Sequence, residues 1–498
     1  MENKLYKQTG GDYNFLMAYP AIEEFALASL GYLWLYKIAD MEEGINAIRV
    51  STDNLNCPKE FGAVAFSMSF DFDFMGVFEV LEKLNLPFYA KDRADDAPLI
   101  FAGGPVITTN PRPYEQFFDF MMVGDGEDSF RKVLDILKHN DKKTALKLLE
   151  NVEGIYIPTN PVKKYTAKLE DVIYTPVIND KSYFKDTFII EVARGCMNRC
   201  AFCTASYINL PFRYYSLEKI KDAIELGLRY TNKIALLGAQ ISAHPDFEEI
   251  MQYMADKMDD GADIQLGISS LRTDSVTPKM VQTLVKGGQK HSTIAIEAAS
   301  ERLRRFINKN LKEEQILNAV QVARENGLKG LKIYSMIGIP QEEQKDIEEF
   351  LTLARKIKTA NKGFNIEFSF STFVPKPQTP FQWTRREDTK SLEKKQAYLE
   401  KELRKIGVGV KFGSAKWDYW QTVLSRGGVE LAPFLLEVYK CGGKIGAYKS
   451  SLKDLGLDIT KTIEGFDLEE NLPWDIIENY PPKQLLKNEY NRLLKRLD

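Results

Sequence analysis

Short apolar runs alternate with helical ones from the start of the chain to about residue 158. Phe15–Tyr19, Ala63–Phe70, Leu99–Ala102 and Phe120–Val123 have strand length, and helical spacing begins near Ile22 and again before Leu84. Alternation of this kind predicts an α/β region, a Rossmann-like parallel sheet with helices on its faces, over 1–158. Gly103-Gly104-Pro105 and Gly124-Asp125-Gly126-Glu127 directly follow two of those runs. Open α/β sheets bind ligands at such carboxyl strand ends, although glycines there are also ordinary turn punctuation. The longest apolar stretch, Phe25 to Ala39, has about 15 residues, short of the roughly 20 that cross a bilayer, and predicts a buried helix.

Residues 159–185 carry prolines, lysines and scattered polar groups without a period, which predicts a linker. Alternation then resumes over 186–385. Strands are expected at Phe188–Val192, Lys233–Leu237, Ile264–Ile268, Thr293–Ile296, Gly330–Met336 and Asn365–Phe370, with helices between them. Six βα repeats fall short of the eight that close a barrel, so a partial (β/α)6 TIM-type barrel is expected. Residues 386–498 read as a small, mostly helical, substrate-associated region. Its first helix has apolar positions Leu392, Ala397, Leu399, Leu403 and Ile406, followed by Trp417 and Trp420 and a basic helix from Gln484. A mixed-charge helix of this kind is expected to present a solvated face.

With 44% hydrophobic and 28% charged residues, the 498-residue chain has ordinary globular composition. A net charge of −3 and a pI of about 6.0 give no global field for nucleic acid, though local RNA contact stays open. The amino terminus lacks the succession of a signal peptide, so a cytoplasmic location and no membrane partner are expected. Five cysteines form no disulfide framework, and the isolated pair, Cys57 and Cys441, is expected to be buried as small hydrophobes. His139, His244 and His291 show no paired spacing and are expected on the surface or in loops.

The chemistry concentrates in Glu-Val-Ala-Arg-Gly-Cys-Met-Asn-Arg-Cys-Ala-Phe-Cys, where Cys196, Cys200 and Cys203 fall within eight residues. A four-iron cluster usually takes four cysteines, so a tight trio leaves one iron open to a non-protein ligand. Structural zinc would want a fourth thiolate or an imidazole, and no second cysteine pair exists. The spacing Cys-x3-Cys-x2-Cys with Phe202 before the last cysteine resembles the signature of radical S-adenosylmethionine enzymes. The resemblance implies a [4Fe-4S] cluster on Cys196, Cys200 and Cys203, S-adenosylmethionine on its open iron, reductive cleavage to a 5′-deoxyadenosyl radical, and a reductant such as flavodoxin or ferredoxin.

Further segments resemble the stations that contact S-adenosylmethionine in that superfamily. Glu297 in Ile-Ala-Ile-Glu-Ala-Ala-Ser-Glu-Arg-Leu-Arg resembles the acid that reaches the ribose hydroxyls; Ser270 in Ser-Ser-Leu-Arg-Thr-Asp matches a polar third-strand position. Arg302 or Arg304 is implied as partner of the methionyl carboxylate, and Ile339 in Gly338-Ile339-Pro340 as adenine packing. Where many members have Gly-Gly-Glu, this chain has Gly238-Ala239-Gln240, which keeps Gly238 and Ala239 as backbone contacts without a charged role for Gln240. The amino-terminal region resembles the cobalamin-binding-like domain that precedes many such barrels, with Ser67-Met68-Ser69 and Gly103-Gly104 at its motif positions. The Asp-x-His-x-x-Gly motif is absent, so cobalamin stays possible but without an imidazole ligand. Methylthiotransferases are more distant, since Cys57 and Cys441 cannot supply a second three-cysteine cluster. The substrate is left open, as are an RNA- or protein-modifying enzyme without cobalamin and a non-catalytic iron–sulfur carrier or sensor.

Overall fold

A computed structural model describes residues 2–158 and 160–497. The amino-terminal strands are β1 (Tyr13–Tyr19), β2 (Ile45–Ser51), β3 (Ala63–Ser67), β4 (Leu99–Gly103), β5 (Phe120–Met122) and β6 (Ile155–Tyr156). They form one sheet in the order β2-β1-β3-β4-β5-β6. All neighbours run parallel except the last pair. The order reverses direction between β1 and β3, and the crevice at such a switch point is where this kind of sheet takes a ligand. β2 escapes a reading of the sequence because Asn46 and Arg49 interrupt its apolar run, as suits an edge strand paired only with β1.

One face of this sheet is closed by the helix Leu30–Asp40, whose Tyr32, Leu33, Tyr36 and Ile38 pack against Phe15, Phe101 and Phe120. The buried helix expected over Phe25 to Ala39 thus begins only at Leu30; Phe25 lies in a separate short helix, Glu23–Ala26, and is exposed. The other face is closed by Phe74–Lys83 and by three helices from the far end of the chain, Ala415–Arg426, Ala432–Lys440 and Ile445–Leu455. Trp420 packs there against Phe434 and Tyr448, with ring centroids 5.8 and 5.1 Å away. The aromatic segment near the end of the sequence is therefore a cover for the first sheet.

The barrel wall is built from β7 (Thr187–Glu191), β8 (Lys233–Leu237), β9 (Gln265–Ile268), β10 (His291–Glu297), β11 (Gly330–Ile337), β12 (Asn365–Thr372) and β13 (Gly409–Phe412). β7-β8-β9 and β10-β11-β12-β13 are two parallel sheets joined by a bridge between Leu271 and Ile294. The six expected strands are all present, and β13 adds a seventh. It is too short and too polar to stand out in the sequence, and its ladder with β12 defines it. Among the described residues no ladder joins β7 to β13, so the barrel is partial. Its outer helices bury one stripe each, as Leu392, Leu399 and Leu403 do in Thr389–Ile406. Ala397 falls off that stripe and is exposed, and Ile406 at the helix end is half-buried.

Residues 160–185 tie these regions together. Val162–Lys163 pairs with Ile477–Glu478, and Val177–Asn179 pairs with Glu2–Lys4. The buried Lys164 donates to the carbonyls of Ile208 and Leu210 at 2.7 and 3.2 Å, just past the cysteine loop.

One expectation for isolated residues needs correction. Cys57 is half-buried and Cys441 exposed, because Cys441 is the first residue past its helix, where the chain turns outward. His244 lies in a loop, as expected, and is buried there, with Nε2 2.7 Å from the Tyr215 carbonyl and Nδ1 accepting from the Asp246 amide at 3.0 Å. Among the described residues no helix is long and apolar enough to cross a membrane.

Candidate active site

The cysteine loop leaves the carboxyl end of β7 and is pinched at its base, where Ala193–Arg194 pairs with Arg213–Tyr214. Gly195 permits the pinch: its φ is +86°, and a Cβ there would meet the Asn209 carbonyl oxygen at 2.5 Å. Cys196 and Cys200 are buried and Cys203 half-buried. The Ala201 amide donates to the Ile307 carbonyl at 2.9 Å. The Asn308 amide group donates to the carbonyls of Asn198 and Arg199, both at 3.0 Å. Below the loop, Ala201 and Phe202 pack into a core of Leu303, Phe306, Ile339, Phe373, Phe381 and, from the last helix, Leu493.

Above it lies a cavity of about 150 Å³ whose wall includes Cys196, Cys200, Phe202, Cys203, Ala239, Ser270 and Glu297. Seven of the residues singled out from the sequence thus converge. Gly238 sits just behind the wall, where an added Cβ would lie 3.1 Å from the Ala193 carbonyl, so the turn needs a small residue. Three others do not converge. Arg302 is turned away to the Asp346 carboxylate and donates to the Gln341 carbonyl at 2.8 Å. Its alternative, Arg304, is 1% exposed and consumed by backbone carbonyls, among them Leu311 at 2.7 Å and Ala298 at 3.1 Å. Ile339, 2% exposed, belongs to the core beneath the loop and touches the site only through its packing beside Phe202.

The cations that do line the cavity are Arg272 and Lys309, which sequence reasoning passed over. Arg272 stands two residues after Ser270 in a segment already singled out, so its signal was present. Lys309 lies between Asn308 and Asn310, whose φ values of +58° and +52° make a tight left-handed turn that asparagine tolerates. Such a turn aims the intervening side chain inward. Gln240 also reaches the cavity, with Oε1 3.4 Å from Cys196 Sγ and hydrogen-bonded by Asn198.

Glu297 is held under strain. Its φ is +67°, and the pairing of β10 with β11 slips between Ala295 and Glu297. A bulge re-aims a side chain, and a non-glycine residue in this region costs on the order of 1 kcal/mol, which the surrounding structure must offset. Lys309 Nζ sits 3.0 Å from Glu297 Oε1. Burial works to lower the Lys309 pKa, but Glu297 and the Cys200 sulfur outweigh it and raise the value above ordinary lysine. Burial pushes the Cys200 thiol up to about 12 and raises Cys203 as well. Thiols in that state become ligands when a metal centre displaces their protons. Among the described residues no three histidine, cysteine or acidic side chains converge on a single ion. Thiolates that each hold a different iron of a cube need not converge, so this donor set fits a cluster.

Two larger spaces adjoin the site. The barrel lumen has a volume of about 720 Å³ and is lined by inward residues such as Ala235, Leu237, Gly267, Thr293, Lys332 and Glu367. A cleft of about 360 Å³ lies at the carboxyl ends of the amino-terminal strands, against Ser67, Gly103, Gly104, Gly124 and, again, Leu237. Arg194, two residues before Cys196, latches this cleft to the barrel. It lies 2.9 Å from Asp125, 2.6 Å from Glu127 and 2.8 Å from Glu191, while Arg213 takes the other Asp125 oxygen at 2.6 Å. Burial favours protonated Asp125, yet the two arginines hold its pKa below the usual carboxylate range.

The signature of the radical SAM superfamily matches residues 190–354, and that of the amino-terminal region of radical SAM proteins matches 33–158. An uncharacterized protein of Methanocaldococcus jannaschii is 31% identical over 410 residues, 80% of this chain and 85% of that one. An uncharacterized methyltransferase of Pyrococcus horikoshii is 25% identical over 294 residues, 54% of this chain and 60% of that one. In fold, the cobalamin-dependent S-adenosylmethionine radical enzyme OxsB superposes with a TM-score of 0.57 at 13% identity, covering 97% of this chain and 84% of its own. The radical S-adenosylmethionine methyltransferase TsrM of Kitasatospora setae does so with a TM-score of 0.53 at 12% identity, covering 72% and 73%.

The chain belongs to the radical S-adenosylmethionine superfamily, and its amino-terminal region is that of radical SAM proteins. It is an enzyme, and the family's cofactors are a [4Fe-4S] cluster and S-adenosylmethionine.

Proposed function

We propose that Cys196, Cys200 and Cys203 each bind one iron of the cluster and that S-adenosylmethionine occupies the cavity above them. The observation that carries this reading is the convergence of all three cysteines with Ala239, Ser270 and Glu297 on one wall. Glu297 accepts hydrogen bonds from the two ribose hydroxyls, and Lys309 pairs with the same carboxylate. Arg302 is engaged by Asp346 away from the cavity; Arg272, which lines the cavity and pairs with Asp274 through Nε and Nη2 at 2.6 and 2.8 Å, takes the methionyl carboxylate through Nη1, and the backbone at Gly238 and Ala239 meets the amino group. Bound together and reduced, the two cofactors supply a 5′-deoxyadenosyl radical that abstracts hydrogen from substrate. The apolar layer of Phe202, Ile339, Phe373 and Phe381 keeps water from the protein side of the loop.

Anaerobic reconstitution with iron and sulfide, followed by dithionite and S-adenosylmethionine, tests this. We expect 5′-deoxyadenosine from the native chain and none from the Cys196→Ala, Cys200→Ala, Cys203→Ala variant. An intact, reduced cluster that releases no 5′-deoxyadenosine would support an electron carrier instead.

A narrower reading is methyl transfer with cobalamin in the strand-end cleft. It is favoured by one observation, that Leu237 lines both the cleft and the barrel lumen, so a ligand in the cleft abuts a substrate in the barrel. Among the described residues no histidine lines the cleft, so they offer cobalt no imidazole there. Equilibration with hydroxocobalamin is expected to leave one equivalent bound per chain after gel filtration. None bound would make the cleft a surface for substrate alone.

A further inference from the structure

The barrel lumen is left open where a closed barrel is filled. In a complete barrel, bulky branched side chains stack in layers and pack the interior. Here strand pairing sets Ala235 level with Gly267 in one sheet, and Thr293, Lys332 and Glu367 level in the other. All five line the space of about 720 Å³, and three of them are small. Gly267 has no backbone reason to be glycine: its φ is not positive, and an added Cβ would meet the Ala235 Cβ at an ordinary 3.6 Å. A glycine inside a strand weakens the strand and often marks where a ligand approaches closely.

The two charges on this level are unequally satisfied. Glu367 lies 3.1 Å from Lys411 and 3.8 Å from Lys332. Lys411 is therefore the nearer counter-ion, and among the described residues no hydrogen bond reaches the Lys332 ammonium, which has three N–H groups to donate. Lys233 and His291 line the same space nearer its amino end, and among the described residues Glu367 is its one carboxylate. A cation is thus left over. Two residues further along their strands, Leu237 and Tyr334 are 39% and 43% exposed, and the Tyr334 ring lies 5.7 Å from Lys332 Nζ. Large side chains left uncovered in a concave space of this volume are the lining of a ligand site. Above them Glu297 pairs with Ser335, three residues past Lys332 and so about 10 Å along the strand.

We infer that the lumen takes as substrate a small organic anion, a carboxylate or phosphate monoester on an apolar body. Lys332 holds the anionic head as a point charge, which suits either group. The body lies along Leu237 and Tyr334 and brings its far carbon to the S-adenosylmethionine cavity, about 10 Å from the head. The inference rests on the cluster assignment above and names the substrate class which that assignment leaves open.

Octanoate, octyl phosphate, octanol and octylamine carry four heads on one apolar body and serve as probes. Each is equilibrated by dialysis with the reconstituted enzyme and S-adenosylmethionine, without reductant. At least one anion is expected to bind about tenfold more tightly than octanol, and the tighter of the two identifies the head. Octylamine should bind more weakly than octanol. Lys332→Met should bring the anions down to the affinity of octanol, while octanol itself stays within about twofold of native. Lys332→Arg should keep the preference for anions. Glu367→Gln, which removes the competing carboxylate, should tighten anion binding at least about threefold. Anions held no better than octanol by the native chain, held equally well by Lys332→Met, or lost from it together with octanol would overturn the inference. The cluster assignment fails separately, through a native chain that yields no 5′-deoxyadenosine even with dithionite.

Discussion

Two parallel sheets in this molecule end in two very different sites. At the amino-terminal sheet, the carboxyl strand ends present glycines, hydroxyls and backbone, with Asp125 and Glu127 tied up by Arg194, and Gly104 shows why: with φ at +110°, its Cβ would lie 2.4 Å from the Met68 carbonyl oxygen. At the barrel, the strand ends present thiols, a strained carboxylate and two cations. The first site is shaped by what is left out, the second by what is put in. Topology places both, but side-chain chemistry separates a surface that accepts a ligand from one that can transform it. Arg194 joins the two, since one guanidinium holds acidic groups from both sheets.

The sharpest way to break the comparison is to remove chemistry from the barrel alone. Cys200→Ala is expected to abolish cluster retention and 5′-deoxyadenosine formation while leaving far-UV circular dichroism unchanged, because the packing beneath the loop is carried by Ala201 and Phe202. Iron analysis and product quantification check it. Next in size, Glu297→Gln and Lys309→Met should each lower kcat/KM for S-adenosylmethionine by about 10- to 100-fold, or about 1.4 to 2.8 kcal/mol. Their double variant should lose less than the sum, since the two groups form one pair.

Arg194→Leu tests the joint between the sites. It leaves Glu127 and Glu191 without their cation and Asp125 with one of two, a loss of about 3 kcal/mol in denaturant unfolding. The smallest effect lies beside the amino-terminal site, where Asp73 accepts from the amide of Ser69, a cleft residue. Burial raises the Asp73 carboxyl to about 6, despite the amides of Ser69 and Phe70 that donate to it. The unfolded carboxyl titrates near 3.9, so the folded chain holds its proton longer. Stability should therefore fall by about 2 kcal/mol as pH rises from about 4 to 6 and level off above. Asp73→Asn should remove that slope in a series of unfolding curves.

The same contrast explains what could be read from the amino-acid sequence. Cysteines within eight residues carry their chemistry locally, and regular alternation of apolar runs is enough to mark six barrel strands. Lys309 is not legible because its role depends on convergence from separate loops, whereas Arg272 stands in the Ser270 segment, where its signal is present. Arg302 misled for a related reason: it lies beside the right strand, but the helix Glu301–Phe306 turns it toward Asp346. Strands β2 and β13 needed neighbours to define them, and nothing near Trp420 announces that it will pack on a sheet some 300 residues earlier.

Electron paramagnetic resonance of the reconstituted, dithionite-reduced enzyme, with and without S-adenosylmethionine, tests the central claim most directly. A cluster held by Cys196, Cys200 and Cys203 with one iron open should give a signal whose g-values shift when S-adenosylmethionine binds, and Glu297→Gln should require more of it for the same shift. A reduced cluster whose spectrum ignores S-adenosylmethionine would contradict the account.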